Sequence, residues 1–214
     1  MLPKILVFAS GSSTGGGSGF ENLVRHSREA GGDLKAEIVG VVSNNEHGGV
    51  RLRADALKIP FIYFSGPYDA EHYRALAEKS GAEWFVLSGW LKKVQGLDPK
   101  RTFNIHPALL SILGGHFGGK DMYGHHVLDA VYGALKRREV NEFGISMHFV
   151  TDEYDRGPVF FEHAMTVKEG MTKEEMGEKV HKAEHEWQPK ITNMVVHGEI
   201  EWDGSDPQSL KVPS

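Results

Sequence analysis

Apolar residues come first in unbroken runs and later in alternation, and that change organises the chain. "KILVFAS" (4–10), "AEIVGVVSN" (36–44), "IPFIYFS" (59–65) and "EWFVLSGW" (83–90) are nearly continuous apolar stretches, the pattern of parallel strands covered on both faces. Between them, "FENLVRHSREAG" (20–31), "GGVRLRADALK" (48–58) and "DAEHYRALAEKSG" (69–81) space their apolar residues for helices, with Gly31 and Gly81 as stops. Strand and helix in turn imply βαβ units and a parallel sheet. "RTFNIHP" (101–107) adds a short strand that Pro107 stops, and "YGHHVLDAVYGALKRRE" (123–139) a helix. "FGISMHFVT" (143–151) and "GPVFFEHAMTV" (157–167) then alternate apolar and polar residues, as an antiparallel pair does. A long last helix is expected within 172–198, interrupted near Pro189, and the polar tail after Trp202 is expected to be loosely ordered.

The pattern therefore predicts an α/β chain: one Rossmann-like domain over 1–202 and a tail over 203–214. Its twisted sheet is mostly parallel with an antiparallel addition, and helices cover both faces. The 214 residues suit one well-buried domain. The net charge of −5 argues against a nucleic-acid binder held by phosphate contacts. With no Cys there is no thiolate metal site and no Cys nucleophile, and a reducing cytoplasm is the expected setting. The apolar run Ile5 to Ala9 is too short for a signal-peptide core or a membrane span.

Three stretches carry candidate chemistry. "GSSTGGGSGF" (11–20) joins the first strand to the first helix, where backbone N–H groups and the helix N-terminus can cradle a phosphate. Composition alone would equally make it a surface loop. In "TFNIHP", Asn104 and His106 stand two apart and so share a face at a strand end. "SMHFVTDEYDRGP" (146–158) offers His148, Asp152 and Asp155, although Asp before such a turn is a common turn former. An amide, an imidazole and a carboxylate at strand ends together suit acyl transfer. The His125-His126 and His181/His185 pairs lack the carboxylate of a zinc-protease motif, and 12 His in one chain make chance neighbours, so no metal is expected.

"NIHPALL", followed some forty residues on by "SMHFVTDEYDRGP", resembles the folate-dependent formyltransferase family over nearly the whole chain. "GSGFENL" resembles that family's phosphate loop, and "AEHEWQP" (183–189) its last helix. The resemblance implies transfer of a formyl group from 10-formyltetrahydrofolate to a small amine, foremost 5′-phosphoribosylglycinamide in purine biosynthesis. It implies that His106 is the acid–base group, that Asn104 bonds the formyl oxygen, and that Asp155 orients His106 and raises its pKa. It places the substrate phosphate and ribose against Gly11, Ser12, Gly17, Ser18, Gly19, Asn22 and Glu184. It places the folate against Leu91, Lys92, Lys93, Val94, Val150, Thr151, Asp152, Glu153 and Tyr154, with no metal, no nucleic acid, no membrane, and a monomer or homodimer. Ser111 stands where the family usually has Pro, Arg156 where Gly is common and Lys92 where Arg is common. Two other readings stay open: a sugar-nucleotide amine as acceptor, and a non-catalytic nucleotide-binding module.

Overall fold

A computed structural model describes residues 1–213, and residue 214, the end of the expected tail, lies outside them. The strands are β1 (Lys4–Phe8), β2 (Glu37–Ser43), β3 (Phe61–Tyr63), β4 (Trp84–Ser88), β5 (Thr102–His106), β6 (Glu142–Phe149) and β7 (Val159–Thr166). The α-helices are α1 (Ser18–Arg28), α2 (Gly49–Leu57), α3 (Ala70–Ser80), α4 (His125–Lys136) and α5 (Lys173–Val196). They build one sheet in the order β3-β2-β1-β4-β5-β6-β7, in which β1 to β5 run parallel and β6 and β7 are antiparallel additions. The strands are the apolar runs of the sequence with their ends trimmed.

Why the runs are continuous follows from their two faces. Ile5 and Val7 of β1 join a large apolar cluster that includes Phe20, Leu23 and Val24 of α1, Val50 of α2, Val127 of α4 and Val180 of α5. Leu6 and Phe8 point the other way, into a smaller cluster with Tyr73 of α3, Phe85 and Trp90. Each β1 residue from Ile5 to Phe8 is thus buried by one layer or the other. The strand order reverses between β1 and β4, and the carboxyl ends of these two strands open the crevice where such sheets bind ligands.

Two expectations need correction. The last helix is not interrupted: α5 runs through Pro189 as 24 continuous residues. Proline has no N–H for the carbonyl of His185, four residues earlier. That carbonyl instead accepts from Asn22 Nδ2 at 2.7 Å, so α1 repairs the defect in α5. The tail is not loose either. Trp202 is buried and stacks on Phe149, its Nε1 donates to Asp206 O at 2.8 Å, and Glu201 and Lys211 exchange backbone hydrogen bonds of 3.1 and 2.8 Å.

Candidate active site

A pocket of about 830 Å³ lies along the carboxyl ends of β1, β4 and β5 and is closed by α5. At its ligand end the loop after β1 leads into α1. Gly16 and Gly17 adopt φ of +87° and +81°, and a Cβ on Gly16 would collide with Gly11 Cα. Gly17 caps α1 without any side-chain hydrogen bond, so the helix's first N–H groups face the pocket free to meet an anion. A Cβ on Gly19 would run into Ser88 Oγ, which would have to swing aside to admit it.

Gly11, Gly17, Ser18, Gly19 and Glu184 line this pocket as expected from the sequence, together with Gly16, His181, His185 and Gln188. Ser12 and Asn22 do not. Ser12 closes the loop on itself, its N–H donating to Gly15 O and its Oγ accepting from Gly15 N. Asn22 serves the His185 carbonyl. Burial pushes the Glu184 carboxyl up to about 7, so it is largely protonated in mildly acidic solution. Ser18 Oγ lies 3.0 Å from His181 Nε2, which adds an imidazole to the same end.

At the other end, Asn104 and His106 come from β5. Asp155 comes from the β6–β7 connection, but not by the route the sequence suggests. Because β6 is antiparallel, Phe149 pairs with Phe103, and the chain leaves β6 at the far end of β5. The connection must double back, and Asp155 turns it with a left-handed φ of +51°. Its Oδ2 accepts from Gly119 N at 2.9 Å and stands 3.9 Å from His106 Nδ1, while Oδ1 stands 3.3 Å from His148 Nε2. Burial raises the Asp155 pKa, but His148, His106 and the Gly119 N–H outweigh it, so the net shift is downward and the carboxylate stays ionised.

His148 belongs to this cluster by strand register. It pairs with Asn104 across β5 and β6, and its Nε2 is 3.2 Å from Asn104 Nδ2. Its Nδ1 lies 2.8 Å from the Phe149 carbonyl, which can only accept, so that nitrogen carries a proton. Nε2 then accepts from Asn104 when bare and donates to Asp155 when protonated. His106 has the same constraint in mirror image: Nε2 is 2.7 Å from the Phe117 carbonyl, so its proton is there and Nδ1 faces the carboxylate. The expected rise in the His106 pKa is not found. Burial, with a smaller push from His148, outweighs the Asp155 carboxylate and lowers it, leaving a neutral imidazole.

The folate-assigned residues divide. Leu91, Lys92 and Tyr154 line the large pocket, and Val94, Val150, Thr151 and Asp152 a second one of about 230 Å³. Lys93 and Glu153 line neither. Among the described residues no group of His, Asp and Glu side chains is arranged to hold a metal ion, and no helix is long and apolar enough to cross a membrane.

The sequence profile described as formyl transferase matches residues 3–192. The chain belongs to the formyl transferase family. As a formyl transferase it is 32% identical over 211 residues to the chloroplastic phosphoribosylglycinamide formyltransferase of Arabidopsis thaliana, covering 93% of this chain and 67% of that one. It is 30% identical over 206 residues to phosphoribosylglycinamide formyltransferase of Bacillus subtilis, covering 91% and 95%. Among solved structures it is similar to glycinamide ribonucleotide transformylase 1 from Symbiobacterium toebii, with a TM-score of 0.79 at 25% identity over 100% of this chain and 95% of that one. Phosphoribosylglycinamide formyltransferase from Brucella melitensis gives 0.73 at 27% identity over 92% and 96%.

Proposed function

We propose that this formyl transferase moves the formyl group of 10-formyltetrahydrofolate to the amine of 5′-phosphoribosylglycinamide. One observation carries the reading: a single pocket joins an anion-ready helix N-terminus to a cluster of amide, imidazole and carboxylate. A substrate with a phosphate at one end and an amine at the other fits both. The names of the relatives from Arabidopsis and Bacillus agree with it.

The substrate amine attacks the formyl carbon and negative charge grows on the formyl oxygen. Asn104, with a second amide N–H beyond the one near His148, donates to that oxygen; such a donor is typically worth ~3 kcal/mol in a water-poor site. His106 starts neutral, takes a proton from the attacking amine at Nδ1, and becomes an imidazolium that Asp155 stabilises from 3.9 Å. The proton then passes to the leaving folate nitrogen as the tetrahedral adduct breaks. The pterin is assigned to the small pocket beside Val94 and Val150 to Asp152, and the rest of the folate to Leu91, Lys92 and Tyr154.

The test is a formyl-transfer assay with 10-formyl-5,8-dideazafolate over a panel of amines. Turnover is expected with 5′-phosphoribosylglycinamide and not with sugar-nucleotide amines; the reverse would reassign the acceptor. Because the working form of His106 is neutral, the acidic limb of kcat/KM is expected below the 6.5 of an ordinary imidazole. A limb above that value would overturn the base role.

A further inference from the structure

The geometry points to Glu162, on the edge strand β7 and outside the pocket, as the positioning residue for His106. The cross-strand register makes the connection. His106 of β5 pairs with Ser146 of β6, and Ser146 pairs with Glu162 of β7, so the three side chains stand in one row on one face of the sheet. Ser146 is fully buried; its Oγ accepts from Leu110 N at 2.9 Å, and its single proton lies between Ala108 O and Glu162 Oε1, each 2.7 Å away. Glu162 Oε1 also takes Leu110 N at 2.8 Å and Ser111 N at 3.1 Å, and Oε2 takes the Ser111 hydroxyl.

The segment that follows His106 is thus tied at residues 108, 110 and 111 to two side chains of the neighbouring strands. This is the turn that ends β5, and it sets where the imidazole stands against Asp155. It also gives Ser111 its role. A proline there would have neither the N–H nor the hydroxyl that Glu162 receives, so Ser111 and Glu162 act as a matched pair. The inference rests on His106 as the acid–base group of formyl transfer.

Length, not charge, is what the anchor requires. Glu162→Gln keeps an oxygen for the three Oε1 donors, and its amide can donate to the Ser111 hydroxyl, so activity within about threefold of the wild type is expected. Glu162→Ala is expected to lower kcat about 10- to 100-fold with little change in either KM, because a small misplacement of a reacting group costs that much. In ¹⁵N-histidine spectra the His106 ring signals should move in Glu162→Ala and hold in Glu162→Gln. If Glu162→Ala does not fold, Glu162→Asp against Glu162→Gln decides, the shorter side chain being the impaired one. Unchanged kcat in folded Glu162→Ala, or Asp outperforming Gln, would overturn the proposal. A wild type without formyl transfer would sink the functional reading instead, while the His106 spectra would still decide whether Glu162 positions that ring.

Discussion

The two ends of the pocket are built from different materials. At the catalytic end His106 and His148 are only 3% and 2% exposed, and each of Asn104, His106, His148 and Asp155 is held by another member or by backbone, leaving one Asn104 amide N–H and His106 Nδ1 for the reacting groups. At the ligand end much of the wall is main chain, with glycines in left-handed conformations and a helix start without a side-chain cap, beside a carboxyl whose pKa burial raises to about 7. Side chains that fix one another fail together and change the rate of the chemical step. A backbone cradle fails by losing space or N–H groups, and that loss appears in affinity.

The sharpest way to break this contrast is to remove members of the catalytic end. His106→Ala and Asp155→Asn should each lower kcat by about 10³-fold or more, acid–base transfer and charge stabilisation both being lost. Because the pair acts as a unit, the double variant should cost little more than either single one. Folate binding, measured separately, should hold. Single-turnover kinetics on the three proteins check this, and additive losses would dissolve the claim that Asp155 works through His106.

The ligand end should respond in the other parameter. A Cβ at Gly19 would run into Ser88 Oγ and crowd Gln188 Oε1, and relieving it breaks the 3.1 Å Ser88–Gln188 hydrogen bond beside the cradle. Gly19→Ala should raise KM for the phosphate-bearing acceptor by about tenfold, an affinity loss of roughly 1.4 kcal/mol, with kcat nearly kept. A fall in kcat with KM unchanged would mean that the two ends are coupled more tightly than their hydrogen bonds imply.

The contrast also sets what could be read from the sequence. Strands covered on both faces left continuous apolar runs, so β1, β2 and β4 were legible within a residue or two. The residue types of Asn104, His106 and Asp155 marked them as candidates in the sequence, and the fold brings the three together, although Asp155 comes from the returning β6–β7 connection and not from a strand end. What escaped depends on register and on distant partners. The pairing of Asn104 with His148 follows from the antiparallel offset of β6, which alternation does not specify. The fall in the His106 pKa depends on how deeply it is buried, and a nearby carboxylate alone suggested the opposite. The tail looked polar, yet Trp202 pins it to the core.

A smaller effect separates charge from space at the ligand end. With its pKa raised to about 7, Glu184 is neutral below that pH and charged above it. Its contribution to folding is complete below the ordinary 4.5 and is lost as pH rises through about 7. The same ionisation puts a negative charge beside the cradle, so affinity for sulfate, whose own charge is constant over this range, should fall across the same window. His181 and His185 line the same end, and Glu184→Gln isolates the carboxyl from them. Titration calorimetry at several pH values should find a shallower dependence in Glu184→Gln. An unchanged slope would assign the effect to the histidines.

The smallest expected effect lies just outside the cradle. Asn22 was expected to meet the phosphate, but its Nδ2 is spent on the carbonyl that Pro189 leaves without a partner in α5. Asn22→Ala removes that donor and leaves a partly buried carbonyl unpaired, a loss of about 1–3 kcal/mol. The variant should therefore melt several degrees lower while KM for the acceptor stays close to the wild-type value. Pro189→Ala in the same background should return most of the lost stability, because an alanine N–H can serve the His185 carbonyl from within the helix. Rescue of stability without any change in KM would establish Asn22 as a repair of the helix. A rise in KM that Pro189→Ala does not correct would instead place Asn22 on the ligand, and the line between side-chain and main-chain ends of the pocket would have to be redrawn.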